Sequence, residues 1–229
     1  MLTPGGKIHI IVYNMQQTSA QISLHNLMKE TYIQGESTMI NWEETEKNIK
    51  ASPKKITVLP HSRAAYADIR GNFKLKDNTT LSELFKNCGG LVIDDMIRIY
   101  GAGELNFTAI NNEFPEFGTL VGEDIFGGLF VLLDNGNIGY FSPDNLLLED
   151  TELDYDKFLT WVISGDTELL YKPHMWDGIR SYIKYLSLTE GILFSPYLWK
   201  KSKTPRTKKK SPMSRIIELE LKAHKNVEK

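Results

Sequence analysis

Apolar and polar positions repeat with two different periods along this chain. The change of period divides it into a helical opening, a β-rich centre and a helical close. From Asn41 the spacing is helical: Trp42, Thr45 and Ile49 share a face, Asn41 stands where a cap belongs, and Glu43 and Glu44 suit a first turn. A β-prone run, Ile56 to Leu59, stops at Pro60, and a second helix is expected from about Ser62 to Ile69, ended by Gly71. A third is expected where Thr80 and Glu83 have the spacing of a capping box ahead of Leu81, Leu84 and Phe85. Cys88, Gly89 and Gly90 would stop it.

The centre alternates as strands do. Leu91 to Ile93 and Met96 to Tyr100 are separated by Asp94 and Asp95 alone, too little chain for a parallel crossover, so they predict an antiparallel hairpin. Gly128 to Leu133 and Ile138 to Phe141 predict a second around Asp134, Asn135 and Gly136, where Asn-Gly would supply the positive φ angles of a tight turn. Gly89 to Leu91 and Gly127 to Leu129 share a Gly-Gly-Leu opening, but the likeness fades within a few residues and supports no repeat. Helical spacing then returns. Asp154 is placed to cap a stripe of Phe158, Leu159, Val162 and Ile163 that Gly165 ends, and Ile179, Tyr182, Ile183 and Leu186 form another. Extended chain from Ile192 to Trp199 and a basic loop at residues 200–211 lead to a last helix. There Ser211 would cap, Pro212 would take the first helical position, and Met213, Ile216, Ile217 and Leu221 would line one side.

These elements predict an α+β fold: a central antiparallel sheet built from hairpins, flanked by helices on its amino and carboxyl sides. Residues 39–229 read as a single domain with the basic loop near its end. Residues 1–38 hold one β-prone run, Ile8 to Tyr13, and no clean periodicity, so this segment is weakly determined, with Met28 and Met39 as alternative starts.

Composition narrows the setting. With 229 residues, 41% hydrophobic and 24% charged, the chain can bury a core without staples. Its one cysteine, Cys88, excludes an intrachain disulfide and a cysteine-based zinc site. No apolar stretch approaches the roughly 20 residues that cross a bilayer, and no secretory signal is evident, so a cytoplasmic location is expected. Net charge is −2, from 27 basic and 29 acidic residues, so any charge argument must be local.

Candidate chemistry is sparse. Gly101, Ala102 and Gly103 follow a strand as a dinucleotide loop would, but Asn106 replaces the third glycine and no helical pattern follows, which reads as a turn. The glycines from 122 to 128 lead into a strand with no Gly-Lys-Ser/Thr, which excludes a P-loop. His9, His25, His61, His174 and His224 lie far apart, without metal-ligand spacing, so no cofactor or metal is expected. Cys88 reads as a small buried residue rather than a nucleophile. The adjacent acids Asp94 with Asp95 and Glu123 with Asp124 read as solvated turn residues. Arg98, between Ile97 and Ile99, is expected to tie the first hairpin to a nearby carboxylate.

Two charge runs stand out. From Asp144 to Glu168 eight acids, Asp144, Glu149, Asp150, Glu152, Asp154, Asp156, Asp166 and Glu168, face one base, Lys157. From Lys200 to Arg215 eight bases occur with no acid, namely Lys200, Lys201, Lys203, Arg206, Lys208, Lys209, Lys210 and Arg215. The basic run has no interleaved aromatics, which implies a solvated loop making at most weak, sequence-indifferent contact with nucleic acid. The acidic run offers a docking face for a basic partner built from Asp144, Glu149, Asp150, Glu152 and Asp156, with Tyr155 as an anchor.

Gly89-Gly90, Asp94, Arg98, Gly101, Gly103, Gly127-Gly128, Phe130, Tyr140-Phe141 and Pro143-Asp144 resemble an uncharacterised bacterial domain-of-unknown-function family. The likeness continues through Leu146, Tyr155, Phe158, Leu159, Trp161, Gly165-Asp166, Tyr171, Trp176, Pro196, Leu198 and Trp199, and covers roughly Trp42 to Leu221. Met96-Ile97, Leu148 and Ile179 depart from it, as a divergent member would. The Gly-Gly-Phe pattern before a hairpin is loosely similar to the SUKH superfamily, whose α+β members include immunity proteins against secreted bacterial toxins. That resemblance implies a non-enzymatic protein-binding module, in the form of an immunity-type protein neutralising a basic toxin. The alternative is a small hydrolase-like or ligand-binding enzyme at Asp94, Arg98 and Gly101 to Gly103.

Overall fold

The computed structural model describes residues 41–227; the weakly determined segment at 1–38, with its Ile8 to Tyr13 run, lies outside them. Helix α1 (Trp42–Ala51) starts where Asn41 accepts a hydrogen bond from the Glu44 amide. Helix α2 (Arg63–Asn72) starts at the Ser62 cap and runs one residue past Gly71. Helix α3 (Thr80–Asn87) begins one residue earlier than the Thr80 and Glu83 pattern implied. Its cap is Thr79, and Ser82, not Glu83, returns the second bond of the capping box. A serine hydroxyl can reach back to the cap amide as a carboxylate does, so the reciprocal pair forms one step upstream.

The sheet is a seven-stranded antiparallel meander in simple chain order. Its strands are β1 (Ile56–Val58), β2 (Gly90–Ile93), β3 (Ile97–Tyr100), β4 (Thr119–Asp124), β5 (Leu129–Leu132), β6 (Asn137–Phe141) and β7 (Leu148–Asp154). Neighbours in the sheet follow one another in the chain, and local turns fix the registers of the β2–β3, β4–β5 and β5–β6 pairs, whereas helices lie between β1 and β2 and between β3 and β4. In the first hairpin Asp94 and Asp95 both take positive φ, 52° and 59°, and the Met96 amide closes the turn on the Ile93 carbonyl. In the second, only Gly136 is left-handed, at 88°, rather than an Asn-Gly pair. The Gly136 amide bonds to the Leu133 carbonyl and the Leu133 amide to the Asn137 carbonyl, the pattern of a three-residue loop ending in a glycine bulge.

Helix α4 (Phe107–Glu113) interrupts the meander between β3 and β4, and α5 (Tyr155–Ser164) follows β7 from its Asp154 cap. Two short helices, α6 (Glu168–Tyr171) and α7 (Ile179–Ile183), precede a separate two-stranded ribbon of β8 (Glu190–Ser195) and β9 (Thr207–Pro212). The carboxyl-terminal helix α8 (Met213–Val227) starts one residue after Pro212. The fold is therefore α+β, as expected, with helices flanking an antiparallel sheet. The stretch at 200–211 is corrected: its second half is strand β9, and Ser211 and Pro212 pair with Gly191 and Glu190 instead of starting the helix. Strands β2 to β5 are buried almost throughout, and buried apolar residues from Ala65 to Leu221 form one continuous cluster.

Gly89, Gly101 and Gly103 serve backbone packing. A Cβ on Gly89 would sit 2.0 Å from the Pro60 carbonyl oxygen, and one on Gly103 would sit 2.5 Å from both that oxygen and the Gly89 Cα. Bonds from Ala102 to Cys88, Ser62 to Ala102 and Gly89 to Leu59 lock the three segments together. Gly89→Ala should therefore cost more than about 3 kcal/mol, because only backbone is there to move. Gly71→Ala, inside α2 with nothing within 4 Å of its Cβ position, should gain about 0.5–1 kcal/mol. Urea denaturation midpoints of the two variants check both signs.

Candidate functional site

Successive residues of β4 point to opposite faces, and its last two are acids. Glu123 and Asp124, expected to be solvated in a turn, are both buried in the sheet. Each is satisfied on its own side. Glu123 lies directly across from Arg98 in register, and Arg98 Nη1 donates to its Oε1 at 2.9 Å. The Tyr100 hydroxyl donates to Oε2 at 2.5 Å. Arg98 Nη2 reaches out of the sheet to the carbonyls of Ser187 at 3.0 Å and Glu190 at 2.6 Å. Burial pushes the Glu123 carboxyl up, while the Arg98 charge opposes that shift. The carboxylate anticipated for Arg98 is thus Glu123, and the pair is a dry link between β3, β4 and the start of β8.

On the other face Asp124 accepts from the amides of Phe126 at 2.8 Å and Gly128 at 3.1 Å, and from the Tyr140 hydroxyl at 2.7 Å. Burial pushes its carboxyl up to about 6, against those three donors. Gly128 makes the contact feasible, since a Cβ there would lie 2.1 Å from Asp124 Oδ2 and 2.2 Å from the Tyr140 hydroxyl. Gly127, at φ 104°, gives the same room to Glu220 of α8, whose Oε1 would be 2.2 Å from a Cβ. Glu220 is buried, its Oε2 has no hydrogen-bond partner, and burial, then Asp124 and Asp144, raise its pKa well above the ordinary value. The neutral acid is the form such surroundings favour. His174 pairs with Asp144 at 2.8 Å nearby and its ring packs 5.5 Å from Phe126. Among the described residues no set of three His, Cys, Asp or Glu is arranged to hold a metal ion.

The region proposed for an enzyme is used otherwise. Gly101 and Gly103 are packed against backbone, as above. Contrary to the sequence reading, a helix does follow them: Asn106 caps α4 by accepting from the Ala109 amide at 2.9 Å. Asp94 accepts from the Lys55 amide at 3.0 Å. The cavity beside Arg98 measures about 120 Å³, lined by Lys55, Val92, Asp95, Ile183, Lys184, Leu186 and Leu188 as well, whereas small-molecule sites run from about 300 to 1,000 Å³. Cys88 is buried at the end of α3, and burial pushes its thiol up to about 11, away from the thiolate.

The acidic run divides among several tasks. Glu149, Asp150 and Glu152 lie on β7, the outer strand of the sheet, where Glu152 is exposed at a bulge with φ 58°. Asp150 accepts from the side chains of Asn135 and Asn137 in the neighbouring hairpin. Asp154 caps α5, Asp144 holds His174, and Glu168 pairs with Arg180. Asp156 is half-buried, and burial raises its pKa. Tyr155, expected as an accessible anchor, is only 7% exposed and packs on Phe158, because β7 runs straight into α5 and turns this residue inward.

The basic run also changes character. Lys208, Lys209 and Lys210 are exposed on β9, and the fold supplies the aromatics that the linear run lacks. Lys208 Nζ lies 4.7 Å from the centre of the Trp176 ring, and Lys210 Nζ lies 5.7 Å from that of Tyr185. Lys210 also donates to the Tyr185 carbonyl. Sequence reasoning missed these pairs because each joins residues more than 20 positions apart.

Arg98→Ala should destabilise by about 3–5 kcal/mol, since it strands Glu123 in the interior, while a double change of Arg98 and Glu123 to methionine should recover much of that. Urea denaturation of the single and double variants gives the comparison. Asp124 and Glu220 hold their protons more tightly folded than unfolded, so both contribute stability at low pH that is lost as pH rises through the folded values, about 6 for Asp124. Glu220→Gln should flatten the fall of Tm between about pH 5 and pH 8 and leave the variant the more stable protein at the upper end. An unchanged slope in a thermal melt series would rule this out.

No solved structure matches the chain. It is similar to the putative uncharacterized protein YbfG of Escherichia coli (strain K12), at 28% identity over 193 residues, covering 78% of this chain and 89% of that protein. It is also similar to an uncharacterized protein of Haemophilus influenzae, at 27% identity over 143 residues, covering 55% of this chain and 63% of that protein. A family model described as "Protein of unknown function DUF2625" matches residues 29–218, reaching further upstream than Trp42. The chain belongs to this family.

Proposed function

We propose that this chain is a non-enzymatic protein-binding module that engages a basic partner through the acidic outer strand β7. The observation that carries the reading is the placement of Glu149, Asp150 and Glu152 together on the one sheet edge formed by β7, with Glu152 exposed at the bulge. A bulged, charged edge resists the addition of another strand. The partner is therefore met by side-chain charge, which steers encounter, rather than by a shared backbone ladder. The polar groups that an enzyme would turn toward a substrate near Arg98 are instead bonded to protein, which favours binding over catalysis there.

The looser resemblance to SUKH immunity proteins gives this module a specific form, capture of a basic toxin inside the producing cell. Among the described residues no helix is long and apolar enough to cross a membrane, which is compatible with that setting. Co-expression with products of neighbouring genes, scored by growth and co-purification, tests it. Glu149→Gln with Glu152→Gln leaves the Asp150 bonds and the Asp154 cap in place. It should slow association with the partner on the order of tenfold at low salt, with less effect on dissociation. Equal protection and equal association by the neutralised chain would overturn the edge model.

A further inference from the structure

We infer that the β8–β9 ribbon and Tyr185 form a surface for single-stranded nucleic acid, independent of the acidic edge. The ribbon presents three consecutive lysines, Lys208, Lys209 and Lys210, all exposed on a strand that pairs on one side only. A β-strand rises about 3.3 Å per residue, so Lys208 and Lys210 leave the same face about 7 Å apart, in step with an extended, unpaired phosphate backbone. Beside them Tyr185 is 76% exposed, and Lys210 holds it from two directions, over its ring and at its carbonyl. Lys208 lies over Trp176, which stands edge-on to Phe194 at 6.4 Å and to Tyr182 at 5.7 Å, so the second aromatic is braced by the body of the protein.

Lysines alone would have a plainer explanation, since charged residues commonly guard an open strand edge. Guarding needs no exposed ring. A tyrosine left in solvent against a lysine offers a flat π-face next to a phosphate-neutralising charge, the pairing that unpaired bases use and that a duplex, with its base faces stacked away, cannot. An acidic peptide would satisfy the lysines but gain nothing from the ring. The chemistry thus favours a single strand, bound with little regard to sequence.

Fluorescence anisotropy of the full chain with labelled oligo-deoxythymidine, a duplex of equal length and polyglutamate as competitor provides the test. Binding should weaken from about 50 to 200 mM salt, with a log–log slope near about −1.4 for the two phosphates that Lys208 and Lys210 neutralise at ~0.7 each. Tyr185→Ala should weaken the single strand about tenfold and Tyr185→Phe hardly at all, with thermal melts unchanged because the side chain is exposed. Changing Lys208, Lys209 and Lys210 to glutamine should flatten the salt slope. No binding at the lower salt, duplex bound as well as single strand, Tyr185→Ala binding like the parent, or polyglutamate competing on equal terms would each overturn the proposal.

Discussion

The ion pair of Arg98 with Glu123 joins two elements that the meander alone would leave separate. Within the sheet it sits between directly opposed positions of β3 and β4, and outside the sheet its second arm fixes the carbonyls of Ser187 and Glu190. The position of the ribbon therefore depends on a charge buried in the sheet. Such a pair is a poor source of net stability, because desolvation offsets much of its attraction, but breaking it leaves an unpaired charge in the interior. Its value is directional: a planar guanidinium with fixed donors accepts one arrangement of strand, carboxylate and loop. Hydrophobic packing would fill the same space with less specificity about where β8 begins.

Asp124 extends that logic to the opposite face. One strand places a paired acid on each side of the sheet, which is why helices and ribbon must cover both. The glycines at 127 and 128 are the counterpart of those acids, since they open the space that Glu220, Asp124 and the Tyr140 hydroxyl occupy. A resemblance that rests partly on Gly127, Gly128 and Tyr140 thus acquires a physical account as the housing of buried polar groups. The glycines at 89, 101 and 103 have a different one, close contact of backbone with backbone.

Much of the architecture was legible because it is local. The β2–β3 and β5–β6 hairpins are adjacent in sequence, their turns are named by Asp94-Asp95 and Gly136, and the caps at Asn41 and Asp154 declare themselves. What stayed hidden was non-local. Thr207 to Pro212 carries almost no apolar residue, so nothing in its pattern marks a strand; it becomes one because Ile192 and Phe194 of β8 bury the ribbon's apolar content for both. Glu123-Asp124 reads as a turn for the same reason in reverse, since the side chains that bond to the two acids come from β3 and β6. Tyr155 was misplaced because the sequence does not show that β7 passes into α5 without a loop. The run of acids could be read from the sequence, but neither the strand β7 that carries part of it nor the ribbon's aromatic partners could.

The open strand edges share one constraint, that none of them readily accepts a further strand. β1 has three residues, β7 is bulged and acidic, and β9 is lined with lysine and ends in Pro212. Each is a recognised way to refuse an incoming strand. Charges of opposite sign on β7 and β9 would otherwise invite a second copy to pair edge to edge and propagate, because a head-to-tail contact need not close. With backbone pairing blocked, attraction at either edge is left to exposed side chains, which are screened by salt and exchange quickly. A net charge of only −2 therefore conceals an acidic edge at β7 and a basic edge at β9.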